Sequence, residues 1–346
     1  MKILLDKIAS VTKNTQLPPE VDVTDKFVSE EGAVLAVEVM EDKKIYNQLE
    51  LVSGRMSTIK RGDTLAVALG NRRALKGFIG EVPKTLKTGD IINLLNLGGV
   101  SGICTSENFR EVGHALKMKV LGAVVDPSDK STPLNIKNFV LFEASDSIKS
   151  KVPLIVVSGT CMNVGKTSAA CEVIKHFNRE GFKIHGAKLA GIAAQRDTEN
   201  MKDYGAKKAV SFVDAGYTST VNNGKQSVAV TKGAINYLSI GNPDYIVIEF
   251  GDGVFGEYGV MDVLRDREIQ DSIEIHIGCA HDPMGAAKLV QVCAEIGAPL
   301  DFISGPVTDN SVGTSFVERT LKMPAINALA YEEESLKKIL DTCLKK

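Results

Sequence analysis

The hydrophobic rhythm of the chain changes near residue 150. Before that point apolar residues come in short runs, at 33–39, 49–52, 64–69 and 91–95, with Gly-Asp at 62–63 and 89–90 and Gly-Asn at 70–71 as punctuation. Short runs closed by turn dipeptides predict strands, so the first hundred residues read as a small β-rich module, with a barrel as one form of it. The pattern then shifts: Phe109, Val112 and Leu116 stand at helical spacing, and 120–125 and 139–142 read as strands. The N-terminal part is therefore either β-rich throughout or finishes as an α/β piece. The polar stretch 146–151 precedes the next apolar run and predicts the boundary between a domain 1–148 and a domain 149–346.

From 152 onward strand patterns and helix patterns alternate. Residues 154–157, 183–188, 245–248, 274–278 and 302–304 read as strands, and 325–329 as a further candidate. After the first of them, Ala170, Val173, Ile174 and Phe177 fall at i, i+3, i+4 and i+7, the stripe of a helix with one buried face. Ala286, Leu289, Val290 and Cys293 make a second stripe, and Leu336, Ile339, Leu340, Cys343 and Leu344 a third in the tail 331–346. Alternation of this kind predicts an α/β domain with a doubly wound, mostly parallel sheet, whose ligands sit at the carboxyl ends of the strands.

Composition narrows the class. The chain has 346 residues, 44% of them hydrophobic and 24% charged, which is ordinary for a globular protein. A net charge of −2 supplies no general pull toward nucleic acid or an anionic membrane. Its six cysteines include no Cys-x-x-Cys pair, which argues against zinc, iron–sulfur and disulfide frameworks and predicts a reducing, cytoplasmic setting. No apolar run approaches the length of about 20 residues that spans a membrane, and the N-terminal apolar run is too short for a signal peptide.

The chemistry centres on Gly159, Thr160, Asn163, Val164, Gly165, Lys166, Thr167 and Ser168, which lie between the first strand and first helix of the second domain. Backbone N–H groups of such a turn and the helix N-terminus attract phosphate oxygens, the Lys166 ammonium adds a point charge, and the Thr167 hydroxyl can ligate Mg²⁺. A phosphate loop needs an acidic partner, and Glu249 directly follows the strand 245–248. Glycines at 251, 253 and 256 let backbone approach a ligand closely. Lys188 ends another strand and projects toward the same edge as Lys166. Asp197, Asp203 and Asp252 are alternatives for a second Mg²⁺ ligand. His281-Asp282-Pro283 reads as a helix start or a catalytic group, and Asp309 and Asn310 as base readers or a turn. The basic run Lys60, Arg61, Arg72, Arg73, Lys76, Lys84 and Lys87 is either a solvated face or a surface for a nucleotide or acidic substrate.

Together these residues resemble one class of P-loop proteins. The run 159–167 looks like the Gly-Thr-x-x-x-Val-Gly-Lys-Thr loop of dethiobiotin synthetase, Ala187-Lys188 matches that family's second-strand lysine, and 248–253 is similar to its Glu-Gly-x-Gly-Gly segment. The cobyrinate amide synthases share much of the pattern. The resemblance covers 152–330 and departs from the family at Leu189, Phe250 and Asp252. It implies ATP and Mg²⁺ as cofactors, with Lys166 on the β- and γ-phosphates and Thr167 and Glu249 on the metal. The family's second metal aspartate has no clean counterpart here, and Asp197 is expected as the further metal ligand from the polar segment after Lys188 alone. It implies that Lys188 binds the carboxylate or carbamate that is phosphorylated, with Lys166, Lys188 and Glu249 as the catalytic set. The expected function is ATP-dependent activation of a small acid for amide or ring formation, in a homo-oligomer that engages a nucleotide and a small molecule and neither nucleic acid nor membrane. Two alternatives stand beside it: a regulatory or assembly NTPase, and a group-transfer enzyme whose loop holds another phosphorylated ligand such as coenzyme A.

Overall fold

The computed structural model describes residues 1–127, 129–328, 337 and 340, with the side chains of 130 and 131 excepted. It divides into two compact units. Unit 1 comprises Met1–Leu141, Ile192–Arg196 and Phe212–Val221; unit 2 comprises Phe142–Gly191, Asp197–Ser211 and Asn222–Lys346.

Unit 1 is β-rich, and five of its strands close a ring. Leu116–Asp126 pairs with Val34–Val39, which pairs with Thr64–Leu69, both antiparallel. Thr64–Leu69 pairs in parallel with Val100–Glu107, which pairs with Ile91–Leu94, and Ile91–Leu94 pairs back to Leu116–Asp126. Closure leaves none of the five with an unpaired long edge. All five supply buried residues, among them Leu35, Val37, Leu65, Val67, Ile92, Leu94, Val100, Met118 and Val120. The helical spacing of Phe109, Val112 and Leu116 yields only the single turn Phe109–Val112, closed by Gly113 at φ 63°. Leu116 instead opens a strand in which Leu116, Met118 and Val120 are buried and Lys117 and Lys119 exposed, a period of two that outweighs three points of helical phase. Residues 139–142 form no strand either. Phe142 is buried and stacks on Tyr237 at 5.5 Å, so that short apolar run packs a ring rather than pairing an edge.

Two later segments complete unit 1 through acidic side chains. The buried Glu50 carboxylate accepts the backbone N–H groups of Gln195 and Arg196, each at 2.7 Å, and the Ser10 hydroxyl. Glu31 accepts the N–H and hydroxyl of Thr218, at 3.0 and 2.7 Å, and Asp214 pairs with Lys13 at 2.8 Å.

Unit 2 is an α/β layer structure. Its strands are β1 (Leu154–Gly159), β2 (Ile184–Ala190), β3 (Lys208–Ser211), β4 (Tyr245–Phe250), β5 (Ile273–Cys279) and β6 (Phe302–Ser304). They pair in the order β3-β2-β4-β1-β5-β6, every pair parallel. The principal helices are α1 (Lys166–Arg179), α2 (Arg196–Asp203, whose first residue belongs to unit 1), α3 (Gly224–Ser239), α4 (Pro283–Glu295) and α5 (Ser311–Thr320). Successive strand residues face opposite ways. Ile184 joins Ala170, Val173, Ile174 and Phe177 of α1 in one core, while its neighbour His185 reaches the Leu238 carbonyl of α3 at 2.7 Å. Helices thus cover both faces, as the alternation predicts. The candidate strand 325–329 is reduced to a bridge from Ala325 to Ile303, with residue 329 outside the described residues. The tail stripe is outside them too, at Leu336, Ile339, Cys343 and Leu344; Leu340 is buried in the α1 core and Lys337 pairs with Glu180 at 3.0 Å. No helix among the described residues is long and apolar enough to cross a membrane.

Behind the sheet's centre lies a buried histidine. His276 Nδ1 donates to the Ala298 carbonyl at 2.9 Å, which leaves Nε2 to accept the Ser158 hydroxyl at 2.8 Å. Burial pushes its pKa down to about 4. An unfolded histidine titrates near about 6.5, so below that pH the unfolded chain binds the extra proton and stability declines toward pH 4. The expected loss across that window is on the order of 2–3 kcal/mol. Urea unfolding at pH 7.5 and 4.5 measures it; the same pH slope in His276→Gln as in the wild type would show that this residue is not its source.

Candidate functional site

Because all six strands run in parallel, the loops after β1, β2, β4, β5 and β6 open at one edge of unit 2. The loop after β1 is central. Asn163 at φ 59° and Gly165 at φ 86° take the left-handed conformation, which turns successive amides toward a common side. Asparagine tolerates that region better than most residues, and glycine enters it freely. Val164 between them is fully buried in the α1 core and pins the turn from below. The loop is tied down at its start as well: Thr160 N–H donates to the Cys279 carbonyl and Val254 N–H to the Gly159 carbonyl, both at 2.9 Å. Gly165 is the N-cap of α1. Lys166, the first residue of α1, folds back so that its Nζ donates to the Cys161 carbonyl at 2.5 Å. Burial lowers the pKa of this lysine, and the charge of Glu249 opposes the shift.

Register brings the remaining groups to the same place. Glu249 on β4 is opposite Val157 on β1 and opposite Lys188 on β2. The Thr167 hydroxyl donates to Glu249 Oε1 at 2.8 Å, with Asp197 Oδ1 at 3.4 Å. The Lys188 ammonium pairs with Asp197 Oδ2 and with Glu249 Oε1, the latter at 3.2 Å. Burial alone would lower the Lys188 pKa, but the two carboxylates outweigh it and raise the value. Two ammonium groups and two carboxylates therefore share one dry corner without excess charge of either sign. Glu249 is 1% exposed, and its Oε2 atom is buried without a hydrogen-bond partner. Such an orphaned carboxylate oxygen is costly unless something satisfies it. One hydroxyl and two carboxylates form a hard-oxygen donor set that fits Mg²⁺ completed by phosphate oxygens and water. No group of three or more His, Cys, Asp and Glu side chains suited to a metal occurs among the described residues.

Of the three candidate second ligands, only Asp197 joins this cluster. Asp203 is exposed at the far end of α2. Asp252, at φ 62°, sits beside Gly256 and acts on Lys166 through its charge. Glycines 251 and 253 after Glu249 bring backbone close to backbone. A Cβ on Gly251 would stand 2.3 Å from the Ala190 carbonyl oxygen, one on Gly253 2.1 Å from that of Thr160, and one on Gly256 2.2 Å from Asp252 Oδ2. They let the β4 loop close against β2, the loop after β1 and itself. Asp282 is a helix cap, accepting Met284 and Gly285 N–H with Pro283 in the first turn. Asn310 caps α5 in the same way, and Asp309 accepts from Asn327 at 2.7 Å. In the basic run, Lys60, Arg61, Lys84 and Lys87 are exposed, whereas Arg72 is buried and donates to the Tyr46 hydroxyl at 2.8 Å.

No family model and no curated protein matches the chain. Solved structures do. Chloroplast FtsY from Physcomitrella patens is similar at 14% identity and a TM-score of 0.38, over 56% of this chain and 66% of that one. The cell division protein FtsY from Thermotoga maritima is similar at 17% identity and a TM-score of 0.38, over 61% of this chain and 75% of that one. A DUF1611 family protein from Anabaena variabilis is similar at 14% identity and a TM-score of 0.41, over 58% of this chain and 61% of that one. The chain thus spans just under two thirds of the Physcomitrella and Anabaena proteins. What fixes the fold is its own geometry: a parallel sheet ordered β3-β2-β4-β1-β5-β6, a left-handed turn at Asn163 and Gly165, and Lys166 and Thr167 opening α1 make unit 2 a P-loop NTPase-type domain.

Proposed function

We propose that this chain is a Mg²⁺- and ATP-dependent enzyme that activates a small carboxylic or carbamic acid by phosphoryl transfer. The observation that carries the reading is the second lysine: Lys188 is held by Glu249 and Asp197 beside a phosphate loop that already has Lys166. A second cation at that edge can offset the charge that develops in phosphoryl transfer. An acid that must meet the γ-phosphate, anion against anion, needs one. The resemblance of residues 159–167, 187–188 and 248–253 to dethiobiotin synthetase supports the same assignment.

In this reading the loop amides and Lys166 hold the β- and γ-phosphates. Thr167, Glu249 and Asp197 hold the metal, which when bound neutralises charge on the phosphate oxygens. Lys188 orients the acid and offsets its charge. A carboxylate oxygen attacks the γ-phosphorus, the bond from that phosphorus to the β-phosphate oxygen breaks, and ADP departs with the electron pair. The acyl phosphate then meets an amine: a C–N bond forms, the C–O bond to phosphate breaks, and the amine loses a proton.

The test is a panel of small acids and amines incubated with the protein, Mg²⁺ and ATP, followed by ADP release and by trapping with hydroxylamine. Acid-dependent ADP release with a hydroxamate product is expected. Hydrolysis indifferent to every acid would favour a regulatory NTPase, and a thermal shift with acyl-coenzyme A but not ATP would favour group transfer.

A further inference from the structure

The run Gly305-Pro306-Val307-Thr308-Asp309-Asn310 follows β6 and opens at the same edge as the phosphate loop. Asp309 and Asn310 are occupied with Asn327 and the α5 cap, so the interest of the run lies at its first residue. Gly305 has φ 93°. A Cβ there would stand 2.4 Å from the Val164 carbonyl oxygen on one side, and 2.9 and 3.2 Å from Ala280 O and N on the other. Gly165, itself left-handed, approaches Gly305 Cα so closely that its own Cβ would lie 3.3 Å away. Two backbones are thus in contact with no side chain between them.

Neither side can retreat cheaply. Ala280 is fixed by its N–H to the Ser304 carbonyl and by Val307 N–H to its own carbonyl, both at 3.1 Å. The Gly305 carbonyl is held by Thr308 N–H at 2.8 Å and the Thr308 hydroxyl at 2.7 Å. Val164 is anchored in the α1 core. We infer that Gly305 is a positioning residue: it is the back wall against which the Val164–Gly165 peptide is set, and through that peptide it fixes the amides that face the phosphates. The inference rests on the loop binding a polyphosphate, as proposed above.

The test needs a control for the cost of putting any L-residue at positive φ. Gly113 supplies it: its φ 63° and ψ −164° lie in the same glycine-only region as the φ 93° and ψ −171° of Gly305, and no atom lies within 4 Å of where its Cβ would stand. Gly305→Ala and Gly113→Ala carry comparable conformational strain, and only the first collides with the loop. In calorimetric titration with Mg-ATP, Gly305→Ala is expected to lose about thirtyfold or more in affinity, and Gly113→Ala less than about threefold. Amide hydrogen exchange over residues 160–165 in the nucleotide-free protein should rise in Gly305→Ala and stay at the wild-type rate in Gly113→Ala. Thr308→Val loosens the same wall without a clash and should raise exchange in the same amides, which keeps a readout if Gly305→Ala does not fold. Equal affinity and equal loop exchange in the two glycine variants, or unchanged exchange in Thr308→Val, overturns the inference. If the wild type binds neither ATP nor GTP, the functional proposal fails, while the exchange arm still decides the role of Gly305.

Discussion

Lys166→Ala abolishes nucleotide binding, with a fall in affinity of about a hundredfold or more, while the folded protein persists. Wild-type Lys166 is 5% exposed, and its ammonium is already bonded across the loop to the Cys161 carbonyl. A polyphosphate entering the turn replaces that neutral acceptor with anionic oxygens in a corner that water does not screen. Charge-assisted hydrogen bonds in such surroundings are worth about 1.5–3 kcal/mol each, and Lys166 is placed to make more than one. The loop amides contribute partial charges only, so they cannot replace it. Alanine is the best helix former and sits here in the first turn of α1, so no propensity is lost. Calorimetry with Mg-ATP and far-ultraviolet circular dichroism measure the two halves of this expectation. An affinity within about threefold of wild type would remove the phosphate loop from the account altogether.

Lys188→Ala gives a different phenotype: nucleotide still binds and turnover is lost. Lys188 does not belong to the loop; it is joined to it only through Glu249 and Asp197. Removing its charge leaves two carboxylates facing each other in a buried site, one of them with an oxygen that already lacks a donor. Breaking one side of a buried ion pair typically costs about 3–5 kcal/mol. The variant should therefore melt below wild type in EDTA, and Mg²⁺ should recover more stability for it than for wild type, because the cation now settles two carboxylates that have lost their ammonium. Melting curves with and without Mg²⁺, and ADP release with the best acid of the panel, separate the structural consequence from the chemical one. Turnover at the wild-type rate would show that the second lysine has no part in the reaction, and with it the acid-activation reading would fall.

Both variants alter residues that are legible in the sequence itself, and the reason is physical. A clean apolar strand, a glycine-bounded turn and a stripe at Ala170, Val173, Ile174 and Phe177 each obey a single local period, and all four stripe residues are buried. Glu249 stands out as a charge at the end of a buried run. Asp197 does not: α2 is polar, with only Thr198 and Met201 buried, so no apolar phase tells which of its acids turns inward. The β3 strand, Lys208–Ser211, is four residues long at the sheet edge and carries too little pattern to stand out. Closure of the barrel depends on a parallel pairing of Thr64–Leu69 with Val100–Glu107 that no turn signal encodes. The roles of Gly251, Gly253 and Gly305 depend on carbonyls far away in sequence, and a glycine says only that something comes close, not what.

The composition of unit 1 bears on how the protein is made. The ribosome releases residues 1–141 long before it has synthesised Ile192–Arg196 and Phe212–Val221. Until then Glu31 and Glu50 lack the amides of Thr218, Gln195 and Arg196, and Lys13 lacks Asp214. A nascent barrel can pair its strands but must wait through the translation of Phe142–Gly191 and Asp197–Ser211 of unit 2 for its last partners. A gene truncated at the polar stretch near 148 would leave it waiting permanently, a free-standing fragment whose buried Glu50 keeps the Ser10 hydroxyl but never receives the amides of Gln195 and Arg196.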